Sequence, residues 1–368
     1  MNIFCKLEHL QRTGSFKERG ACNALLQLDL EKKQCGVIAA SAGNHALGLA
    51  YHGHLLNLLV TVVMPLTAPL TKVTNCKRLG AKVLLHGRNL EEARTHADEL
   101  CAATGQTYIN GFDDPHIIAG QGTMGLEIVE QVPDLDAVIV PIGGAGLIAG
   151  VSLAIKMLRP KVQIIGVEAR RAASYTAALA AGKPIRTEIS ATLADGLAVA
   201  QVGANAFAIA RQHVDRVVLV DEHEIALAIL RLVELEKSVV EGAGATPLAA
   251  CLAKLVPELS GCNVVLPLCG GNIDTNILGR VLERGLVSDG RLCRFSTSIS
   301  DRPGGLAQFA TIIAEEGASI VDIAHDRAFA SEDINIVTIH CVAETRDSEH
   351  ARHLHQRLTL EGFLVTNT

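Results

Sequence analysis

Lys17 stands in Ser15-Phe-Lys-Glu-Arg-Gly20, between a small hydroxyl residue and a turn glycine. A lysine amine attacks aldehydes and, once neutral, acts as a base. Taken alone, a lysine in such a hexapeptide is a solvated surface charge. Three further segments argue for chemistry instead: Ser41-Ala-Gly-Asn-His45, Pro141-Ile-Gly-Gly-Ala-Gly-Leu147 and Leu266-Pro-Leu-Cys-Gly-Gly-Asn272. The first two lie between a strand-like run and an apolar helical stretch. Backbone N–H groups at a helix start suit a phosphate or carboxylate, and glycines let the backbone close on an anion. The bland reading of Ser41–His45 is an ordinary helix start with Ser41 as its cap. The loop at 141–147 lacks Gly-x-Gly-x-x-Gly spacing, and no lysine follows it as in a P-loop, so a dinucleotide is not favoured. Cys269 is either a small buried hydrophobe or, beside two glycines at a strand end, a ligand contact.

The elements that must position these residues follow from periodicity. Between Gly36 and Asn272, short β-branched runs alternate with amphipathic stretches of helical length. The runs are Gly36–Ala40, Val60–Met64, Lys82–Leu85, Ala137–Val140, Val162–Val167, Val217–Val220 and Asn263–Leu266. Helices are expected over Ala46–Tyr51, Asn89–Thr104 and Glu222–Lys237. This order predicts βαβ units, parallel sheets and an α/β fold. Ligands of open α/β sheets sit at the carboxyl ends of strands, where the glycine loops fall. The pattern changes at Val287-Ser-Asp-Gly290, read as a linker, so the domains are placed at 1–287 and 288–368. Strands are expected at 292–298, 319–326, 334–343 and 363–365, and helices at 306–316 and 348–360. That is a βαββαβ unit, small enough to lean on a partner copy.

Composition sets bounds. The chain has 368 residues, enough for two or more units. Aromatics make up 3%, so aliphatic side chains fill the core. A net charge of -6 leaves no basic footprint for nucleic acid. There is no eighteen-residue apolar run, and no membrane span is expected. The ten cysteines include no Cys-x-x-Cys pair and read as reduced thiols, in the cytoplasm or an organelle matrix.

Taken together and in this order, the segments resemble the serine/threonine dehydratase family of pyridoxal-phosphate enzymes, the fold-type II group. Cys5–Lys17 is similar to the family's Schiff-base segment, and Ala40–His45 to its substrate and cofactor loop. Met64-Pro65, Ala68-Pro69, Lys72, Gly80-Ala81, Gly120–Thr123 and Glu241–Ala245 fall where the family has them. Ser288–Arg291, Asp301–Gly304 and His325–Phe329 resemble the ACT regulatory domain of threonine ammonia-lyases. The resemblance implies a catalytic domain of two α/β subdomains, the smaller nested at about 37–130, followed by an ACT-like domain. It implies pyridoxal phosphate as cofactor, contacted by Phe16, Lys17, Asn44, Gly143, Gly144, Ala145, Gly146, Leu147 and Cys269. By the same resemblance Lys17 would carry the catalysis, and an amino-acid substrate would be held by Ser41, Gly43, Asn44, His45 and Phe112. Threonine, and serine beside it, would lose water to give a 2-oxo acid and ammonia. A branched-chain amino acid would bind at Asp301, Pro303, Gly304, Gly305 and Leu306 as effector, in a homo-oligomeric dimer or tetramer.

Departures from the family pattern sharpen these expectations. Racemases of the family carry Ser-Ser-Gly-Asn-His, whereas Ala42 stands at the second position and cannot move a proton. A serine racemase is therefore the disfavoured alternative. A non-catalytic amino-acid sensor that has lost its N-terminal segment is the other. Ala145 replaces a glycine, which predicts negative φ there. Asn110-Gly111 precede Phe112 where His-Pro is common. Glu168 matches an acidic residue that binds a cation in some relatives, but Ser174 stands where a second carboxylate is needed. A salt bridge for Glu168 and no bound metal are expected.

Overall fold

The computed structural model describes residues 1–327 and 335–367. The chain divides into two compact units, Met1–Asp274 and Thr275–Thr368.

In the first unit, β1 (Asn2–Lys6) leads to α1 (Lys17–Leu26) and the short α2 (Leu30–Cys35). Next come β2 (Val37–Ala40), α3 (Asn44–Leu55), β3 (Val60–Met64), α4 (Leu70–Arg78), β4 (Lys82–Leu85), α5 (Leu90–Thr104) and β5 (Thr107–Tyr108). The second half holds α6 (Pro115–Gln131), β6 (Ala137–Pro141), α7 (Gly146–Leu158), β7 (Gln163–Ala169), α8 (Ser174–Ala181) and α9 (Ala204–His213). It ends with β8 (Arg216–Val220), α10 (Glu222–Glu236), α11 (Gly242–Leu252) and β9 (Asn263–Pro267). The smaller sheet runs β4-β3-β2-β5 and the larger β1-β9-β6-β7-β8. Every pairing in both is parallel. Their central strands are buried Val/Ile/Ala runs, as sheets covered on both faces require. Among the described residues no helix is long and apolar enough to cross a membrane.

Helix starts follow their caps. Asp114 Oδ1 accepts from His116 N at 2.7 Å and Ile117 N at 3.2 Å, with Pro115 at the first position of α6. Asn89 caps α5 through Glu92 N at 2.9 Å, and Gly105 at φ 71° ends it. Ser41 is not the cap of α3: the helix begins at Asn44 after Gly43, and Ser41 Oγ accepts from Gly43 N at 3.3 Å.

The second unit holds α12 (Thr275–Ser288), β10 (Leu292–Ser300), α13 (Gly305–Glu315), β11 (Ser319–Asp326), β12 (Ile336–Glu344), α14 (Ser348–Leu360) and β13 (Thr366–Asn367). Its sheet, ordered β11-β12-β10-β13, is antiparallel, and the βαββαβ order matches expectation. Two details differ. Residues 288–291 are no free linker: a Cβ on Gly290 would lie 2.1 Å from Ser348 Oγ, and Thr345 Oγ1 donates to Gly290 O. With α12 belonging to this unit, the division falls before Thr275. The last strand is also not 363–365. Phe363 is buried edge-on against Phe309, its N–H bonds Leu358 O at the end of α14, and pairing begins only at Thr366.

Helices α1, α3, α6 and α7 approach closely because glycines line their contacts. A Cβ on Gly120 would lie 2.6 Å from both Arg19 O and Gly20 Cα, and one on Gly150 would lie 2.3 Å from Ile118 O. Backbone cannot yield as a side-chain tip would. Gly120→Ala should therefore destabilise the chain by about 1–3 kcal/mol, read from the midpoint of a denaturant titration. An unchanged midpoint would mean that α1 and α6 separate freely.

Candidate active site

Lys17 is the first residue of α1, and its strand of origin, β1, lies beside β9. The start of α1 is held by charge. The Arg19 guanidinium bonds Glu8 through Nε and Nη2 at 2.8 Å each, and reaches Glu127 of α6 at 2.6 and 2.7 Å. Arg19 and Lys6 together hold the Glu127 carboxyl down at about 2. Glu18 accepts from Thr13 N and Thr13 Oγ1 and faces His52 of α3 at 3.5 Å. Burial would raise the Glu18 carboxyl, but these partners outweigh it and hold it low.

The carboxyl ends of both sheets open onto one cavity of about 990 Å³. Phe16, Lys17, Ser41, Gly43, Asn44, His45, Phe112, Gly143, Gly144, Ala145, Gly146, Leu147 and Cys269 all line it, as does Ala42. The four sequence segments thus meet. Lys17 Nζ donates to Gly111 O at 2.5 Å. Burial pulls this amine down to about 8, against the opposing fields of Glu241 and Cys269. The Cys269 thiol donates to Pro267 O at 3.3 Å, and burial pushes its pKa up, so the sulfur keeps its proton. His45 Nε2 donates to Ile109 O at 3.0 Å, and burial beside Lys17 drives its pKa down to about 3, so the ring is neutral.

Two rows of unused donors face this space. Among the described residues, no amide N–H from Gly143 to Ile148 has a protein acceptor, and neither has that of Asn44, His45 or Ala46. They are the first turns of α7 and α3 and the residues leading into them. Helix N-termini with free donors attract anions. The first row fits a phosphate group, and the neutral thiol of Cys269 fits an uncharged partner for a ring nitrogen. One conformational expectation fails. Ala145 sits at φ 70° and not at negative φ, as the last residue before α7. Its side chain packs in the core. An alanine there costs about 1–2 kcal/mol relative to right-handed backbone.

Several residues at the site were not singled out from the sequence. Asn44 Nδ2 donates to Glu241 Oε1 at 2.8 Å, and Asn44 Oδ1 accepts from Asn272 Nδ2 at 2.9 Å. The second N–H of Asn44 Nδ2 has no protein acceptor among the described residues. Burial, then the charge of Asp195, raises the Glu241 carboxyl to about 7, against the Asn44 bond and Lys72. Glu241 belongs to the Glu-Gly-Ala-Gly-Ala segment, so its position was visible although its role was not. Glu168 is fully buried and makes no salt bridge among the described residues. Its oxygens accept from Tyr175 N at 2.7 Å, Thr176 N at 2.9 Å and Thr176 Oγ1 at 2.6 Å, at the start of α8. In the second unit, Asp301 is paired to Arg327 at 2.9 Å, Gly304 at φ 101° precedes α13, and Pro303, Gly305 and Leu306 complete that turn. Ala328 and Phe329 lie outside the described residues.

The Glu241 shift has a sign. A carboxyl near 7 in the folded chain and near 4.5 unfolded binds more protons folded, so stability falls between those values as pH rises. Glu241→Gln should therefore raise the melting temperature of the cofactor-free chain above pH 7 and leave it nearly unchanged below 4.5. A gain independent of pH would show that the carboxyl is not desolvated.

Known proteins share the sequence and fold of this chain. The family described as "Pyridoxal-phosphate dependent enzyme" matches residues 1–270. An L-threonine ammonia-lyase of Thermotoga maritima is 44% identical over 99% of this chain and 90% of its own length. One of Geobacter sulfurreducens is 47% identical over the same shares. The processed form of threonine deaminase isoform 2 from Solanum lycopersicum superposes at a TM-score of 0.74 and 42% identity, covering 77% of this chain and 83% of that one. Maize serine racemase reaches 0.72 at 35% identity, covering 77% and 88%. With fold, cavity and relatives in agreement, the chain belongs to the family of pyridoxal-phosphate-dependent enzymes.

Proposed function

We infer that the chain removes water from L-threonine, and from L-serine beside it, releasing ammonia with 2-oxobutanoate or pyruvate. The observation that carries this reading is the convergence on one cavity of the Lys17 amine, the neutral Cys269 thiol and the free amides of Gly143–Leu147. Those amides would hold the phosphate, and Asn44 would offer its free N–H to an oxygen on the ring. Phe16 and Leu147 would flank the cofactor, and the Phe112 ring packs against Gly144 of the glycine loop. The bound cofactor supplies an electron sink for charge developing at the substrate Cα. Ser41, Gly43, Asn44 and His45 bind the substrate carboxylate through the donors at the start of α3. Lys17, shifted toward its neutral form, takes the proton from Cα. Cys269 keeps its proton on sulfur and would leave a ring nitrogen beside it uncharged, which favours elimination over transamination; the proton Lys17 takes from Cα balances the β-hydroxyl that departs as water. The enamine released takes up water and yields the 2-oxo acid and ammonia.

Similarity to serine racemases leaves the fold neutral between the two reactions. Ala42 lines the cavity with a methyl group, which moves no proton to the opposite face of Cα. The C-terminal unit is read as ACT-like, binding isoleucine or valine at Asp301, Pro303, Gly304, Gly305 and Leu306. Control then requires that the effector favour one arrangement of an oligomer. A homo-oligomer is supported by an apolar groove of about 460 Å³ between α6, α7 and α9, lined by Ile118, Leu126, Leu153 and Ile209.

The test is formation of 2-oxobutanoate from L-threonine by chain supplied with pyridoxal phosphate. Lys17→Ala should lower the rate at least about a thousandfold and abolish the cofactor's visible absorption band. Retained turnover would remove Lys17 from its role, and a folded wild-type chain that yields no oxo acid from threonine or serine would sink the reading.

A further inference from the structure

The crossover from β5 to α6 joins the two halves of the first unit, and three of six consecutive residues in it, Ile109, Gly111 and Phe112, touch different parts of the site. Ile109 O accepts from His45 Nε2 of α3 at 3.0 Å. Asn110 Oδ1 accepts from Phe112 N and Asp113 N, at 3.0 Å each, closing an Asx turn. Gly111 O accepts from Lys17 Nζ of α1. The Phe112 ring fills the space a Cβ on Gly144 would take, and Phe112 O lies 2.1 Å from where a Cβ on Gly146 would stand. Asp113 accepts from Ala204 N and Ala206 N at the start of α9, and Asp114 caps α6.

Gly111 is placed with little freedom. The His45 ring packs so closely that a Cβ on Gly111 would lie 2.8 Å from its Cγ. The Asx turn encloses the Gly111 carbonyl, and that turn rests on one side-chain oxygen. We propose that Asn110 is a positioning residue for the Lys17 amine: its turn aims the Gly111 carbonyl at Nζ and, through Phe112, ties that aim to the glycine loop. Asn110 touches neither the amine nor the free amides, so it acts through its two neighbours. The proposal deepens the reading above and rests on Lys17 being the reactive amine.

The charge state of Lys17 reports on the turn. The titratable groups facing the amine are Glu241 at the start of α11, Cys269 after β9 and His45 on α3. Glu241 and Cys269 have no contact with the Asn110 turn, whereas His45 bonds Ile109 O and packs against Gly111. Freed from its turn, residue 111 withdraws its carbonyl, the charged amine loses its one direct acceptor, and the Lys17 midpoint falls further below the ordinary lysine value.

Trace acylation of the cofactor-free chain over the neutral to alkaline range, with each lysine peptide quantified by mass spectrometry, reads this directly. Exposed Lys82 serves as internal reference. Asn110→Ala should lower the Lys17 midpoint by about one unit. Asn110→Ser, whose shorter hydroxyl makes the same turn more weakly, should move it the same way by a smaller step. If the alanine chain does not fold, the serine chain decides alone. A Lys17 midpoint that stays at the wild-type value in a folded variant overturns the proposal. Failure of the underlying reading shows separately, as absence of a borohydride-fixed pyridoxyl group on Lys17 of the wild-type chain.

Discussion

A lysine amine buried in a cavity must either lose its proton or be surrounded by acceptors, and that constraint organises the first unit. Lys17 meets one direct acceptor, the Gly111 carbonyl, and the more distant fields of Glu241 and Cys269. Burial wins over these, and the amine is drawn toward neutrality. Such a balance holds only if the amine stays in place. The Arg19 fork between Glu8 and Glu127 and the Glu18 carboxylate on Thr13 hold the first turn of α1, while Gly20 and Gly120 let it lie directly on α6. Breaking such a network strands a desolvated charge, so its cost exceeds that of any one bond.

The same unit reverses the usual relation between side chain and backbone. Recognition here falls to amides at the starts of α3 and α7, and side chains mainly position them. Glycine is required at 144 and 146 because Phe112 already occupies the space of their side chains. Position 145 needs a left-handed residue, and this chain uses alanine. The amide is retained and the backbone bears the strain, as is common where a loop serves a ligand.

Much of this was legible in the sequence, because the cavity is built from strand-to-helix junctions and each junction is a contiguous motif. Lys17, Ser41–His45, Gly143–Gly146 and Cys269 were each found that way and do share one cavity. The parallel sheets and the βαββαβ order were equally visible, since both rest on local periodicity. What escaped was set by contacts between distant residues. Glu241 and Asn272 brace Asn44 from 197 and 228 positions away. Glu168 has the Tyr175 and Thr176 amides and the Thr176 hydroxyl as partners where a salt bridge was expected. Phe363–Val365 has the alternation of a strand, yet Phe363 is spent on packing against Phe309, so pairing waits for Thr366. Ala145 was misjudged because a rule for single residues cannot see the loop that forces it.

The electrostatic character of the cavity then follows from which groups are held neutral. Nearest the Lys17 amine, Cys269 is protonated, His45 is uncharged, and Lys17 near 8 and Glu241 near 7 are both drawn toward their neutral forms, while Glu91, Arg94, Arg186, Glu188 and Asp195 also line the cavity. Two helix starts with open amides add positive potential that does not titrate. Backbone donors carry no proton to give and do not titrate, so they hold an anion without competing in proton transfer. A lysine or arginine in their place would bind phosphate as well, but would also raise the charge of a nearby ring and disfavour the neutral amine. Separating anion binding from proton chemistry in this way lets one weakly held proton, on Lys17, move without disturbing what fixes the ligand in place.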